Sequence, residues 1–300
     1  MRYFLELFFG GLTRGGIYAL IALGYTMVYG IIGLINFAHG EIYMLGAFVG
    51  LVAAAALGGL GLPGAAVLAL VLLAAVAFCA GFGVSVERIA YRPLRGAGRL
   101  SPLISAIGMS IFLQNVVMLA QTPDFVAFPD LIARVTGEGR IFGIFGAPDA
   151  CIVAVAGLLM AGLTLFIRRT RLGKAMRATA QNQVMARLVG VDVDRVVSAT
   201  FAVGSGLAAV GGVLVASHAG QINFFIGFTA GLKAFTAAVL GGIGSIPGAM
   251  LGGLVLGFAE SFGAGYVQSD YEDAIAFGLL VLILVLRPQG ILGRAAAQKA

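Results

Sequence analysis

The chain has 300 residues, of which 60% are hydrophobic and 11% charged, with a net charge of +6 and a mean hydropathy of +1.03. A soluble domain of this length would need far more polar surface to stay dissolved. Runs of about 20 apolar residues, enough for a helix to cross roughly 30 Å of hydrocarbon, recur along the chain, whereas the short alternating segments of a membrane barrel do not. The expected fold is therefore an all-α polytopic membrane protein of about eight to ten segments, with helices broken at Gly and Pro. A single transmembrane domain covers residues 1–300. Its surroundings are a lipid bilayer, and no nucleic acid is expected among its partners.

The N-terminal "MRYFLELFFGGLTRGG" has one early Arg and no small-residue cleavage site. It reads as a retained, amphipathic segment lying at the membrane interface. Apolar runs follow at 15–35, 42–58 and 64–86. Across the first junction, "LINFAHGEIYMLGAF" (34–48) places His39 and Glu41 on either side of Gly40 in a stretch otherwise free of charge. Gly40 permits a backbone break, and Glu41 suits the first turn of the next helix, where a carboxylate meets the positive end of the dipole. Two readings of Asn36–Glu41 stay open: a hydrogen-bonded hairpin that fixes helix geometry, or a gate beside a translocation path.

Basic residues cluster three times: Arg88, Arg92, Arg95 and Arg99; then Arg168, Arg169, Arg171, Lys174, Arg177, Arg187 and Arg195; then Arg287, Arg294 and Lys299. The positive-inside rule puts all three on the cytoplasmic side, so an even number of spans must separate them. Runs near 101–121 and 149–167 satisfy the first interval, and 196–217, 229–243, 248–264 and 274–287 the second. The 122–148 connection, with Asp124, Asp130 and Glu138 leading to Asp149, then lies outside, as does "SDYED" at 269–273. Three earlier spans would leave the N-terminus outside, unless one run is re-entrant or the first 14 residues also insert. Gln114 and Asn115, mid-span, read as amides bonded across helices. Cys79 and Cys151 fall in spans and read as packing residues rather than a disulfide.

Glycine totals 46. "GLAAVGGVLVA" (206–216) and "GAMLGGLVLG" (248–257) carry the small-residue spacing that lets helices approach closely, chiefly within the subunit. "ALGGLGLPGA" (56–65) and "VLGGIGSIPGA" (239–249) resemble one another, as paired segments of inverted-repeat transporters do, though coincidence in so Gly-rich a chain is the simpler account. The firmer expectation is a helix break over Gly241–Gly248, with Gly241, Gly242, Gly244 and Pro247 lining a cavity. Lys233 and Glu260 either reach for the headgroups from a span end or face a cavity or partner.

In the central loop (168–195), Ala175, Met176, Thr179, Val184, Leu188 and Val189 recur at intervals of about three to five, which fits short amphipathic helices. Gly190 gives a stop and Asp192 a cap for the next helix. Such a basic helical loop either anchors to headgroups or presents a docking surface. The only Gly-Lys pair, Gly173-Lys174, is followed by Ala175 and is no P-loop, and no metallohydrolase or serine-hydrolase motif is present. Acidic candidates within spans are limited to Glu41 and Glu260, and a span-end position stays open for both. The chain is thus expected neither to be an enzyme nor to supply its own driving force.

"GGIYALIALGYTMVYGIIGLINFAHGEIYMLGAF" (15–48), "ERIAYRPLRG" (87–96), "GKAMRATAQNQVMARLVGVDVDRVVSATFAVGSGLAAVGGVL" (173–214) and "GLKAFTAAVLGGIGSIPGAMLGG" (231–253) resemble, in order and over nearly the whole chain, a permease subunit of the bacterial branched-chain amino acid ABC transporters, of the LivH type. The resemblance implies passage of hydrophobic amino acids across the bacterial inner membrane by alternating access. It implies a heterodimer with a LivM-like permease, a periplasmic solute-binding protein, and two ATPase subunits that carry ATP and Mg, this chain binding no cofactor itself. By the same resemblance 173–190 is the coupling helix, with Gly173, Lys174, Arg177, Ala178 and Gly190 as its residues. The general importer signature, Glu-Ala-Ala followed three residues later by Gly, is not intact. "RATAQNQ" is the nearest stretch, which leaves the main ATPase contact open. Asn36 to Glu41 matches the family's run between the early spans. It is not expected to clamp substrate charge, because a zwitterion needs both signs and no cation accompanies Glu41. The rivals are the same machinery for urea, a short amide or an aromatic acid, and a stand-alone ion-coupled transporter.

Overall fold

The computed structural model describes residues 1–98, 100–137, 139–141 and 143–293. Arg99, Glu138, Arg294 and Lys299, assigned to a side above, lie outside the described residues. The helices are α1 (Arg2–Ile32), α2 (His39–Leu57), α3 (Gly64–Val86), α4 (Leu100–Ala120), α5 (Ala133–Thr136), α6 (Ala147–Arg169), α7 (Arg171–Gln181), α8 (Gln183–Leu188), α9 (Val193–Ala219), α10 (Ile226–Gly241), α11 (Ile246–Tyr266) and α12 (Glu272–Leu286). Among the described residues seven helices are long and apolar enough to cross a membrane. The shorter apolar α10 and α12 bring the total to nine, inside the expected range. Helices dominate because hydrocarbon offers no partner to a backbone N–H or C=O, and a helix satisfies its own.

The helix ends sort into two groups. At one end Val126–Ala127 (β1) pairs with Gln221–Ile222 (β4), Ser217 accepts from the Ile132 N–H, and Arg2 reaches the Gly143 carbonyl. At the other, Gln183 donates to the Ile31 carbonyl, Arg95 meets Asp194, and the Ile291 N–H bonds the Leu240 carbonyl. The segments that parity put on one side therefore meet one another.

The N-terminal stretch departs from expectation. It is not a separate interfacial segment but the first half of the 31-residue α1. Its aromatic side chains lie along α11, Phe4 on Phe262 at 5.3 Å and Phe8 on Phe258 at 5.0 Å, and Tyr3 OH donates to the Gly265 carbonyl at 2.6 Å. Further along, Gly257 lies against the backbone of Gly15, and Gly253 against Ala19. The α9 stripe packs likewise, Gly212 meeting the Tyr43 carbonyl and Ala209 meeting Gly46. The small-residue stripes thus serve packing within the chain. Cys79 and Cys151 are free thiols, as expected.

The central loop differs in one respect. Met176 and Thr179 are buried, but Val184, Leu188 and Val189 are 66%, 73% and 77% exposed. Asn182, extended at φ −158°, separates α7 from α8 and caps α8 by accepting from the Val184 and Met185 N–H groups. That turn re-aims α8, so the two helices do not share one buried face.

A Cβ at position 257 would collide with α1, whereas Gly162 has open space around it. Gly257→Val should therefore destabilise the purified protein by about 1–3 kcal/mol through overpacking, while Gly162→Val stays near the parent. Thermal unfolding in detergent checks the pair, and equal midpoints would refute the α1–α11 packing.

Candidate functional site

The break at 33–38 is set by Gly33, in the left-handed region at φ 75°, which ends α1. The chain then folds back beside α1: His39, the first residue of α2, stacks edge-on against Tyr25 at 4.9 Å and fits against Gly24. Gly40 crosses α10 at Gly227 and Gly231, where any Cβ would clash with backbone. Asn36 accepts from Tyr91 OH at 2.6 Å, and Tyr91 belongs to a π-helical turn, Glu87–Tyr91, after α3.

Glu41 sits in the first turn of α2, as expected, but not at a span end. Its Oε1 accepts from Ser110 and Gln114, each at 2.8 Å. Ser110 lies ten residues from either end of α4 (Leu100–Ala120), roughly 15 Å at 1.5 Å per residue, so the carboxyl is at mid-depth. No cation pairs with it among the described residues. Its Oε2 and the His39 Nε2 are buried without a hydrogen-bond partner there. A pocket of ≈ 150 Å³ between α4 and α10, lined by Tyr25, Phe37, Ser110 and Gln114, opens beside them.

Lys233 does not join this cluster. It turns to the opposite side of α10, binding Glu260 at 3.2 Å and Asp273 at 2.8 Å. Glu260, late in α11, is fully buried and faces a partner rather than the headgroups, and it also accepts from Tyr18 OH at 2.6 Å. Arg14 binds Glu272 at 2.7 Å, and His218 stands 3.8 Å from Asp149. These groups, apart from buried Glu260, line a cavity of ≈ 720 Å³ at the end holding the 122–148 connection. Charges at depth are costly unless paired, which accounts for the pairing of Arg14 and Lys233 with carboxylates across α1, α10, α11 and α12.

The Gly241–Gly248 break forms as expected. Gly241 ends α10, Gly242 and Gly244 take φ of 105° and 91°, and Pro247 enters the first turn of α11, which Ser245 caps. Only part of it lines a cavity. Gly244 borders a pocket of ≈ 90 Å³ with Gly30, Met176 and Arg177, whereas Gly241 is sealed against Gly248 and Gly242 against residues 289–293. The 289–293 segment occupies that side because it satisfies the free carbonyls at the end of α10.

Of the loop residues, Gly173 packs against Ile167 and cannot carry a side chain. Arg177 donates to the Ile167 carbonyl, closing the end of α6. Lys174 is exposed, Ala178 half-buried, and Gly190 terminates α8 at φ 85°. The most exposed apolar side chains of the loop are instead Val184, Met185, Leu188 and Val189. Sequence reasoning missed Ser110, Arg14, Tyr18, Glu272 and Asp273 as site residues and took Gln114 as structural only. Arg14 and Tyr18 share one helix face at i, i+4, a signal available in the sequence but silent about their partners on α11 and α12.

Residues 7–284 match the family model described as the branched-chain amino acid transport system / permease component. The permease BraD of the high-affinity branched-chain amino acid transport system of Pseudomonas aeruginosa is 53% identical over 99% of this chain and 98% of its own. LivH of Escherichia coli K12 is 51% identical with the same coverage. The E. coli permease LivM is 27% identical, over 92% of this chain and 68% of its own length.

Gln114→Leu strips a donor from buried Glu41 and should cost about 1–3 kcal/mol of stability. Asn115→Leu removes only a bond back to the Ile111 carbonyl on the exposed face, and should change stability by less than about 0.5 kcal/mol. Thermal midpoints of the two purified variants decide it, and the reverse order would detach Gln114 from Glu41.

Proposed function

This chain belongs to the permease family of the branched-chain amino acid transport systems, and from that premise we propose that it is the subunit through which branched-chain amino acids cross the bacterial inner membrane. It is a transport subunit rather than an enzyme. Its partners in this reading are a LivM-like permease, a periplasmic solute-binding protein delivering substrate to the end with the ≈ 720 Å³ cavity, and two ATPases binding ATP and Mg at the basic end. A different solute and a stand-alone ion-coupled transporter are not favoured by this family membership.

One observation carries the reading. Three openings succeed one another along α1: the charged cavity at Arg14 and Tyr18, the break and small pocket at Gly24 and Tyr25, and the inner pocket at Gly30. A wall that is wide and polar outside, constricted at mid-depth and reopened inside suits alternating access between two permease subunits. Asn36, His39, Gly40 and Glu41 form the constriction. A pure scaffold would pair its buried polar atoms, so the unpartnered Oε2 and Nε2 favour a gate whose partners change as it moves.

Coupling would run through the loop at 173–190. In this proposal Gly173, Arg177, Ala178 and Gly190 hold the α7–α8 pair on the bundle, while Lys174 and the apolar tip at Leu188 and Val189 meet the ATPase. An exposed apolar cluster on a basic surface is the form expected of a docking knob.

Leu188→Asp with Val189→Asp should leave the permease in the membrane and abolish substrate-stimulated ATPase activity of the reconstituted complex. Retention of normal stimulation would refute the tip as the contact. Cysteines at Gly98 and Val184 should react with an impermeant thiol reagent only from the cytoplasmic side, and one at Gly137 only from outside. External reaction at Val184 would invert the topology. For the gate, His39→Ala and Glu41→Gln should lower leucine uptake per assembled complex severalfold, whereas unchanged uptake for both leaves Asn36–Glu41 as scaffold.

A further inference from the structure

The mid-depth break carries an acid without a cation, so a zwitterion has no complete partner there. Both signs do meet in the outer cavity. Arg14 and Lys233 supply positive charge from α1 and α10, and Asp149, Glu272 and Asp273 supply negative charge from α6 and α12. Each ion pair joins two helices, Arg14 to Glu272 at 2.7 Å and Lys233 to Asp273 at 2.8 Å. We propose that this cavity is a transit site for the charged head of an amino acid, its carboxylate taken by Arg14 and Lys233 and its ammonium by Asp149 and Asp273. The inference rests on the amino-acid permease reading and adds to it where, and by which groups, the substrate is held.

The chemistry of exchange supports the assignment. Opening either ion pair leaves both partners without their counter-charge. A zwitterion inserted between the partners restores both interactions and adds no net charge. An amine or an acid of the same shape restores one and adds a charge of its own. Lys233 is built for this exchange, because Glu260 still holds it at 3.2 Å when Asp273 lets go. Tyr18 keeps Glu260 in place through its 2.6 Å bond to Oε2. Asp149 has the His218 imidazole 3.8 Å away, and Asp273 is 66% exposed, so both carboxylates have lone pairs available. Ile17, Val215, Ile226 and Ala230 form an apolar wall of the cavity, and a branched aliphatic side chain fits there. The cavity, ≈ 720 Å³, exceeds the volume of a leucine several times over, as a transit site rather than a tight receptor requires.

The test uses the complete transporter in nanodiscs, with Cys151→Ser to remove the half-buried thiol and Thr229→Cys to place a reporter on the cavity wall. The rate of reaction with an impermeant thiol reagent is measured with L-leucine, 3-methylbutylamine or 4-methylpentanoate. Leucine should slow labelling severalfold, and the amine and the acid should not. Asp273→Asn and Arg14→Gln should each raise the half-protecting leucine concentration about fivefold, the equivalent of roughly 1 kcal/mol, with protection measured against each variant's own unliganded rate. Equal protection by the amine or the acid would overturn the zwitterion site. So would absence of leucine protection in a preparation that still takes up leucine through its binding protein. In both cases the permease reading stands, and it falls instead if the unmutated transporter, supplied with ATP and binding protein, moves no leucine.

Discussion

The close approach of α1 and α11 is the contact on which the rest of the structure depends. Gly15 against Gly257, and Ala19 against Gly253, bring the two backbones together with almost no side chain between them. In lipid there is no hydrophobic force to drive helices together, so dispersion at short range and satisfied polar groups must do so. Seated on α11, α1 becomes the wall against which α9, α10 and the returning start of α2 are placed. At the end of the seam where α1 begins, Phe4, Phe8, Phe258 and Phe262 stack and continue it.

On that wall the expensive groups are distributed by depth. Near the outer end Lys233, Glu260, Arg14, Glu272 and Asp273 neutralise one another in and behind a cavity. At mid-depth Glu41 has hydrogen-bond donors but no counter-charge. At the inner end Glu87 is buried between Arg92 and Arg95, accepts from Ser198 at 2.7 Å, and is linked through Arg95 to Asp194 at the start of α9. The π-helical turn that begins at Glu87 also delivers Tyr91 to Asn36. A contiguous set of contacts therefore runs from the loop-facing end of α9 to the break in the middle of the bundle. This connectivity is what a rocking mechanism would need, since a shift of α9 at Asp194 bears on the residues beside His39.

Backbone irregularity follows the same logic. Helix interruptions within hydrocarbon are tolerated only where protein covers the freed groups or a cavity solvates them. The 242–245 turn is of the first kind over Gly241 and Gly242, whose neighbouring carbonyls are taken by the 291–292 amides, and of the second kind at Gly244. The 33–38 return is of the second kind, bordered by the pocket at Tyr25 and Phe37.

Much of this was legible in the sequence because it depends on composition and period. The apolar runs set the order of the spans and bounded their number, charge asymmetry sorted their ends, and Gly-Pro punctuation marked the break at 241–248. The motif run at 34–48, with "GKAMRATAQNQVMARLVG" at 173–190, pointed to the family. Tertiary structure alone decided what each polar residue meets. Nothing local in the sequence says that Lys233 and Glu41, so near one another across the α2–α10 crossing, face opposite sides of α10. Helix rotation about its axis is set by packing, and in lipid an apolar helix carries only a weak pattern to reveal it. The N-terminal residues read as an interfacial segment because their pairing depends on α11, some 250 residues away in the chain, as the Ser261–Leu7 bond illustrates at a separation of 254. Glu41 read as near a span end because depth is measured against neighbouring helices, not along its own. Spans, their order and the grouping of their ends are properties of one segment at a time, and the sequence determines them; partners, depth and cavities are properties of several segments together, and only their packing does.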